Sequence, residues 1–238
     1  FIKYLIKNII RKKIIDLDKY LFFSAVATIC DQMPLRNSNW KIVRQGLKNF
    51  NINKFYNFKK ILNLKNKISS TDIGFNLGPV LNSSSRLGYP DLVIKLLIEN
   101  DINSINNISK KLINLNERRK KIQYATFNLL KNKSKIANNE VIFIYEENIN
   151  EGMLGIIASN FVELYTKPAF ILTKSNKNIK CSSRSVYGYD IGNIFNEALN
   201  KKIILSGGGH SMAGGCLLKK NKLIDFKNFL NFFYKKKF

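Results

Sequence analysis

Leu205-Ser206-Gly207-Gly208-Gly209-His210-Ser211-Met212-Ala213-Gly214-Gly215 is the stretch around which this chain is organised. His210 is the only histidine in 238 residues. The apolar run Ile203-Ile204-Leu205 comes before the glycines. Glycine lets a backbone turn sharply and approach a ligand closely. Successive free N–H groups in such a turn form an anion-binding concavity. A histidine at its lip adds a proton, a hydrogen bond or a positive charge. The expectation is a strand over 203–205 that leads into a phosphate-handling turn. The plainer reading is a tight turn with a structural histidine.

Outward from this stretch, strands and helices alternate. Strands are predicted over 141–145, 169–173, 180–185 and 216–219, with helices over 152–165, 190–199 and 223–234. Asp190 opens the middle helix. This alternation predicts an α/β domain. The first half reads differently. Residues 1–50 look helical, beginning with a basic, apolar amphipathic segment rather than a signal peptide. The apolar run 21–30 ends at Asp31, with Pro34 beyond it, and Ser38 is the expected N-cap of a helix over 39–50. Residues 51–70 read as a polar connecting segment, and 72–90 as a loop of turn formers. Asp91 caps a helix over 92–99, and a long charged helix follows over 105–132. Trp40 reads as core or helix packing rather than a base-stacking platform, and the Lys235-Lys236-Lys237 run as a solvated tail.

The chain carries 40 Lys+Arg against 16 Asp+Glu, a net charge of +24, and a pI near 9.9. Such a balance attracts polyanions, because neutralised phosphates release counterions. The abundance of Lys, Asn and Ile also fits codon drift on a generic surface. Three cysteines, Cys30, Cys181 and Cys216, have no paired spacing, so neither a disulfide framework nor a zinc site is expected. A reducing, cytoplasmic compartment fits. No apolar run reaches membrane-spanning length, and no membrane partner is expected.

Three more segments carry chemistry. Asp31 offers hard oxygen to Mg²⁺ or Mn²⁺, although one carboxylate alone does not make a metal site and a polar helix end is the plainer reading. Asn82-Ser83-Ser84-Ser85-Arg86 places hydroxyls beside a guanidinium that can fork onto phosphate. Cys181-Ser182-Ser183-Arg184-Ser185 repeats that chemistry, and an extended backbone would put Ser182 and Arg184 on one face. Gly152 and Gly155 open a helix, where they permit close packing or close ligand approach. Several phosphate-gripping clusters in a row suit a protein that follows a single strand.

Four ordered blocks together resemble the RecJ-like single-stranded-DNA exonucleases of the DHH phosphoesterase superfamily. They are A-T-I-C-D-Q-M-P-L at 27–35 and L-G-P-V-L-N-S-S-S-R-L-G at 77–88. Then come E-G-M-L-G-I-I-A-S at 151–159 with C-S-S-R-S at 181–185, and G-G-G-H-S-M-A-G-G at 207–215. The resemblance implies an α/β protein in three parts: the helical tail of a DHH catalytic domain at 1–50, a connecting helical region at 51–138, and a DHH-associated phosphate-binding domain at 139–238. It implies removal of nucleotides from the 5′ end of single-stranded DNA with Mn²⁺ or Mg²⁺, in repair and recombination. Single-strand-binding protein and helicases are the partner classes such an enzyme meets.

By the same resemblance, Asp31 corresponds to a catalytic, metal-binding aspartate. His210, with Gly208 and Gly209, would hold the scissile phosphate. Ser182 and Arg184 would anchor the 5′ phosphate, and Arg86 would touch the DNA backbone. The family's earlier Asp-x-Asp and Asp-His-His motifs are not in this sequence and would lie upstream of Phe1. The chain alone is therefore expected to be inactive. Ile149 and Asn150 replace a usual Trp-His, and Cys181 replaces a usual glycine. A C-terminal oligonucleotide-binding barrel has little room after residue 235. The alternatives are another DHH-type phosphodiesterase acting on short oligonucleotides or cyclic dinucleotides, and a non-catalytic remnant that binds single strands.

Overall fold

The computed structural model describes residues 17–51, 53–63, 67–133 and 140–237. The amphipathic helix expected at the N-terminus lies outside them. The chain divides after Arg118 into two compact units.

The first unit is helical. Helix α1 (Leu17–Cys30) buries Phe22, Ala25 and Val26. Its Ser24 and Thr28 hydroxyls donate back to Tyr20 O and Ser24 O, at 2.9 and 2.7 Å, which hides their polarity within an apolar segment. Helix α2 (Asn37–Lys48) lies close against α1. A β-carbon on Gly46 would lie 2.7 Å from Ala25 Cβ and 2.9 Å from Leu21 O, so only glycine permits this approach. Arg36, not Ser38, occupies the N-cap of α2, without a side-chain cap. Trp40 is half exposed, and the Arg44 guanidinium sits 5.0 Å from its ring centroid.

The segment read as a polar connector contains helix α3 (Tyr56–Leu62). Phe55, Phe58 and Ile61 are buried there at helical spacing. Phe55 lies against Phe22 with 4.3 Å between ring centroids. The 72–90 stretch is also helical rather than a loop. A π-helical turn (Asp72–Leu77) runs without a break into α4 (Gly78–Arg86), and Pro79, which has no N–H to give the preceding turn, stands just after the junction between the two helical registers. Ile73, Leu77 and Val80 are the buried side chains that override the turn formers. Helix α5 (Asp91–Ile98) follows, then the long α6 (Ile102–Lys133).

The second unit is a five-stranded sheet in the order β1-β2-β3-β5-β4. The strands are β1 (Ile142–Tyr145), β2 (Ala169–Ser175), β3 (Asn178–Arg184), β4 (Ser206–His210) and β5 (Ala213–Leu218). β1 and β2 are parallel, connected through helix α7 (Leu154–Tyr165), and the other pairs are antiparallel. One face carries Ile142, Ile144, Ala169 and Ile171, which pack with Leu154, Ile157 and Phe161 of α7 and Leu130 of α6. The other carries Phe170, Leu172, Cys181 and Leu218, under α8 (Ile191–Asn200) and α9 (Leu223–Lys237). Asp190 caps α8, its carboxylate accepting from Asn193 N at 3.0 Å. Lys235, read as part of a solvated tail, lies in α9 and pairs with Glu140 at 3.0 Å.

The expected strand over 203–205 is displaced. Those residues form a bend, and the glycines themselves are the strand β4, at the sheet edge. The Gly207–Gly209 run is therefore extended, not a turn. The turn is Ser211-Met212, between β4 and β5.

Candidate phosphate-binding face

The pairing register builds the site. Residues directly opposite on neighbouring strands point to the same face. Ser182 is opposite Gly215, and Gly215 is opposite Gly208. Arg184 is opposite Ala213, and Ala213 is opposite His210. Two rows therefore cross β3, β5 and β4 on one face: Ser182-Gly215-Gly208 and Arg184-Ala213-His210. The middle strand contributes at most a methyl group to either row. Strands lie about 4.8 Å apart, so β3 and β4 stand roughly 10 Å apart across this small-residue floor. A β-carbon on Gly208 would meet nothing within 4 Å. The floor is open.

Helix α7 forms one wall. A β-carbon on Gly155, in its first turn, would lie 3.1 Å from Arg184 Nη2 and 3.2 Å from Ser182 Oγ. A 3₁₀ turn (Glu151–Met153) leads directly into α7, so the positive end of the helical run lies at Glu151, with Asn150 as its side-chain cap. The entry to α7 is fixed beside β3. Glu151 pairs with Lys180 at 2.8 Å, and that hydrogen bond is the main cause lowering its pKa. Asn150 Oδ1 accepts from Gly152 N at 2.9 Å.

Arg184 is half-buried, and burial lowers its pKa from the usual arginine value. It remains charged, because arginine starts so high. Among the described residues no carboxylate pairs with it; Nη1 donates to the Ser183 carbonyl at 2.9 Å. A partly desolvated cation without an anionic partner acts strongly on an incoming anion. Below the floor, Gly209 and Gly214 are held by packing. A β-carbon on Gly209 would lie 2.3 Å from Ala213 O, and one on Gly214 would lie 2.6 Å from Ile191 Cγ2.

The sequence-selected residues thus fall into two groups. Ser182, Arg184, Gly208 and His210 share the open face in the second unit. Gly209 lies in the same strand but points to the opposite face. Asp31 and the Ser/Arg segment meet in the first unit, where Asp31, Asn82, Ser84 and Ser85 line a largely apolar cavity of about 420 Å³. The serine hydroxyls are not free donors: Ser83, Ser84 and Ser85 donate to Val80 O, Leu81 O and Asn82 O. Arg86 ends α4. Gly155 was visible in the sequence as a helix-opening glycine, but its position against Arg184 follows only from the fold.

Asp31 was the candidate metal ligand. It is exposed just past the end of α1. No group of three or more His, Cys, Asp or Glu that could hold a metal ion exists among the described residues. These residues do not make up a two-metal site. No described helix is long and apolar enough to cross a membrane.

Residues 138–236 match the DHHA1 domain family, a stretch that contains the mixed sheet with its Gly-His edge strand. Over most of its length the chain is similar to RecJ exonucleases. It is 28% identical over 222 residues to the single-stranded-DNA-specific exonuclease RecJ of Bacillus subtilis, covering 90% of this chain and 28% of that protein. It is 28% identical over 226 residues to RecJ of Escherichia coli, covering 89% of this chain and 39% of that protein. The crystal structure of RecJ with Mg²⁺ from Thermus thermophilus superposes with a TM-score of 0.81 at 23% identity, covering 92% of this chain and 35% of that one. A manganese-bound exonuclease RecJ superposes with a TM-score of 0.75 at 22% identity, over 95% of this chain and 57% of that one. The chain therefore spans well under half the length of these curated relatives.

Proposed function

We propose that this chain supplies the phosphate-holding part of a RecJ-like exonuclease that removes nucleotides from the 5′ end of single-stranded DNA in repair and recombination. The observation that carries the reading is the face shared by Ser182, Arg184, Gly208 and His210 across three strands. Arg184 and Ser182 hold the terminal 5′ phosphate, beside the first turn of α7. His210 faces the scissile phosphate from the edge strand, over the open floor at Gly208, while Gly209 lets that strand lie close against β5. Holding the end at a fixed point sets how far the strand reaches toward the reacting centre, which gives polarity.

Asp31 would contribute one carboxylate toward Mn²⁺ or Mg²⁺, and Arg86 a contact to the DNA backbone. Divalent metals in such enzymes activate water and offset phosphate charge. The described residues do not complete that set, so the chain alone binds DNA without cleaving it.

The test compares 5′-phosphorylated and 5′-hydroxyl oligonucleotides of one sequence. The chain should prefer the phosphorylated end, and R184A should remove the preference. Equal affinity for both ends in the unaltered chain would overturn the assignment. Incubation with Mn²⁺ should leave the oligonucleotide intact. A second reading is a non-catalytic single-strand-binding module, which Ile149 and Asn150, in place of the usual Trp-His, favour. Metal-dependent cleavage by the chain extended upstream separates the two.

A further inference from the structure

We infer that Tyr187 is the stacking platform for the base of the nucleotide whose phosphate Arg184 holds. The inference rests on the phosphate reading above and adds a second recognition element to it.

Tyr187 is 95% exposed, more than any other large hydrophobic side chain among the described residues. Its backbone is nevertheless held firmly. Tyr189 N donates to Val186 O at 3.2 Å, and Gly188 has φ +93°. This is a type II turn with Tyr187 at its second position. Both flanks are anchored. Ser185 is buried and its hydroxyl donates to the Tyr189 carbonyl. Tyr189 is buried, with its phenol donating to Leu230 O at 2.9 Å. The ring of Tyr187 gains nothing from the fold: no hydrogen bond, ring contact or cation partner engages it among the described residues. The backbone that carries the ring is thus anchored, while the ring itself is presented to solvent.

Its place is specific. It stands three positions after Arg184, so the two Cα atoms lie within roughly 11 Å. Ser185 N donates to Met212 O at 2.9 Å, tying this turn to the β4–β5 turn just beyond His210. Met212 is itself half exposed. The turn that carries this ring thus follows directly on β3, the strand that carries the guanidinium. A base attached to a held phosphate offers the matching flat surface. Stacking would be tolerant of sequence, because every base has a π-face.

The experiment measures affinity of the full 238-residue chain for 5′-phosphorylated oligonucleotides. One carries an ordinary terminal base, and the other an abasic terminal nucleotide. Tyr187→Ala should weaken binding of the ordinary end by about 5- to 150-fold. Tyr187→Phe should retain most of the affinity. The abasic end should bind the unaltered chain about as weakly as the ordinary end binds Tyr187→Ala, and should not respond to that substitution. Unchanged affinity in Tyr187→Ala, alongside a clear loss in R184A, overturns the stacking role and leaves the phosphate site standing. Equal losses on ordinary and abasic ends also overturn it, because the ring would then act on the backbone. No loss in either variant overturns both readings. Thermal unfolding confirms that each variant is folded.

Discussion

Gly155 stands against Arg184. A methyl group on Gly155 would come within 3.1 Å of the guanidinium Nη2, closer than ordinary van der Waals contact. Helix α7 and strand β3 are thus spaced so that the first turn of the helix and the arginine side chain share one small volume. Gly155→Ala should displace Arg184 while relieving the cost of glycine in a helix, up to about 1 kcal/mol. The expected result is unchanged or higher stability with roughly tenfold weaker binding of a 5′-phosphorylated oligonucleotide, the worth of one charge-assisted hydrogen bond. Thermal unfolding and a binding titration on the same sample check both halves.

The glycines of β4 should not be equivalent. A β-carbon on Gly209 would collide with backbone, at 2.3 Å from Ala213 O and 2.6 Å from Gly214 Cα. Gly209→Ala should therefore cost about 1–3 kcal/mol or more, because a backbone neighbour cannot rotate away. Gly208→Ala meets nothing within 4 Å and should stay within about 0.5 kcal/mol of the parent. Urea unfolding of the two variants measures the difference.

Alkaline pH should destabilise the second unit. Burial raises the Tyr189 phenol far above its usual range. Burial, with Cys216 opposite it, likewise raises the Cys181 thiol. Both groups are held protonated in the folded state. Their contributions are complete below the unfolded pKa values, about 8.5 for cysteine and 10 for tyrosine. Above those values the unfolded chain loses protons and the folded one does not, so stability falls with rising pH. Urea midpoints should be flat from pH 6 to 8 and decline beyond about pH 8.5. Tyr189→Phe should remove the steeper loss above pH 10, while costing about 1 kcal/mol at neutral pH for the lost bond to Leu230 O.

Binding should weaken with salt. Each phosphate neutralised on a single strand contributes about 0.7 to the slope of log affinity against log salt. R184A should lower that slope by about this amount if Arg184 meets one phosphate. An unchanged slope would mean that the arginine acts on something other than phosphate.

Much of the second unit could be read in the sequence, because β1, β2 and the end of β5 are short apolar runs and its helices start at recognisable signals such as Asp190. The face shared by Ser182 and Arg184 followed from the two-residue period of a strand. The conformation around His210 did not. Glycines have low strand propensity, and only the close approach of β5 and of α8 onto Gly209 and Gly214 shows why an extended strand needs them there. Turn formers misled in the same way at 72–90. Pro79 is carried at the junction of the π-helical turn and α4, and the three serine hydroxyls close onto their own helix. At 51–70 the spacing of Phe55, Phe58 and Ile61 was a helical signal obscured by the surrounding Asn and Lys. The exposure of Tyr187 and the nearness of Gly155 to Arg184 have no sequence signature, since both depend on how distant segments meet.

The most direct measurement is an NMR titration of the isotopically labelled chain with a short 5′-phosphorylated single strand, with the 5′-hydroxyl strand as control. The account predicts that the largest phosphate-dependent shifts fall on Ser182, Arg184, Gly208, His210 and the first turn of α7, with the Arg184 side-chain signal moving most. Shifts that are identical for the two strands, or that leave β3 and β4 untouched, would contradict it.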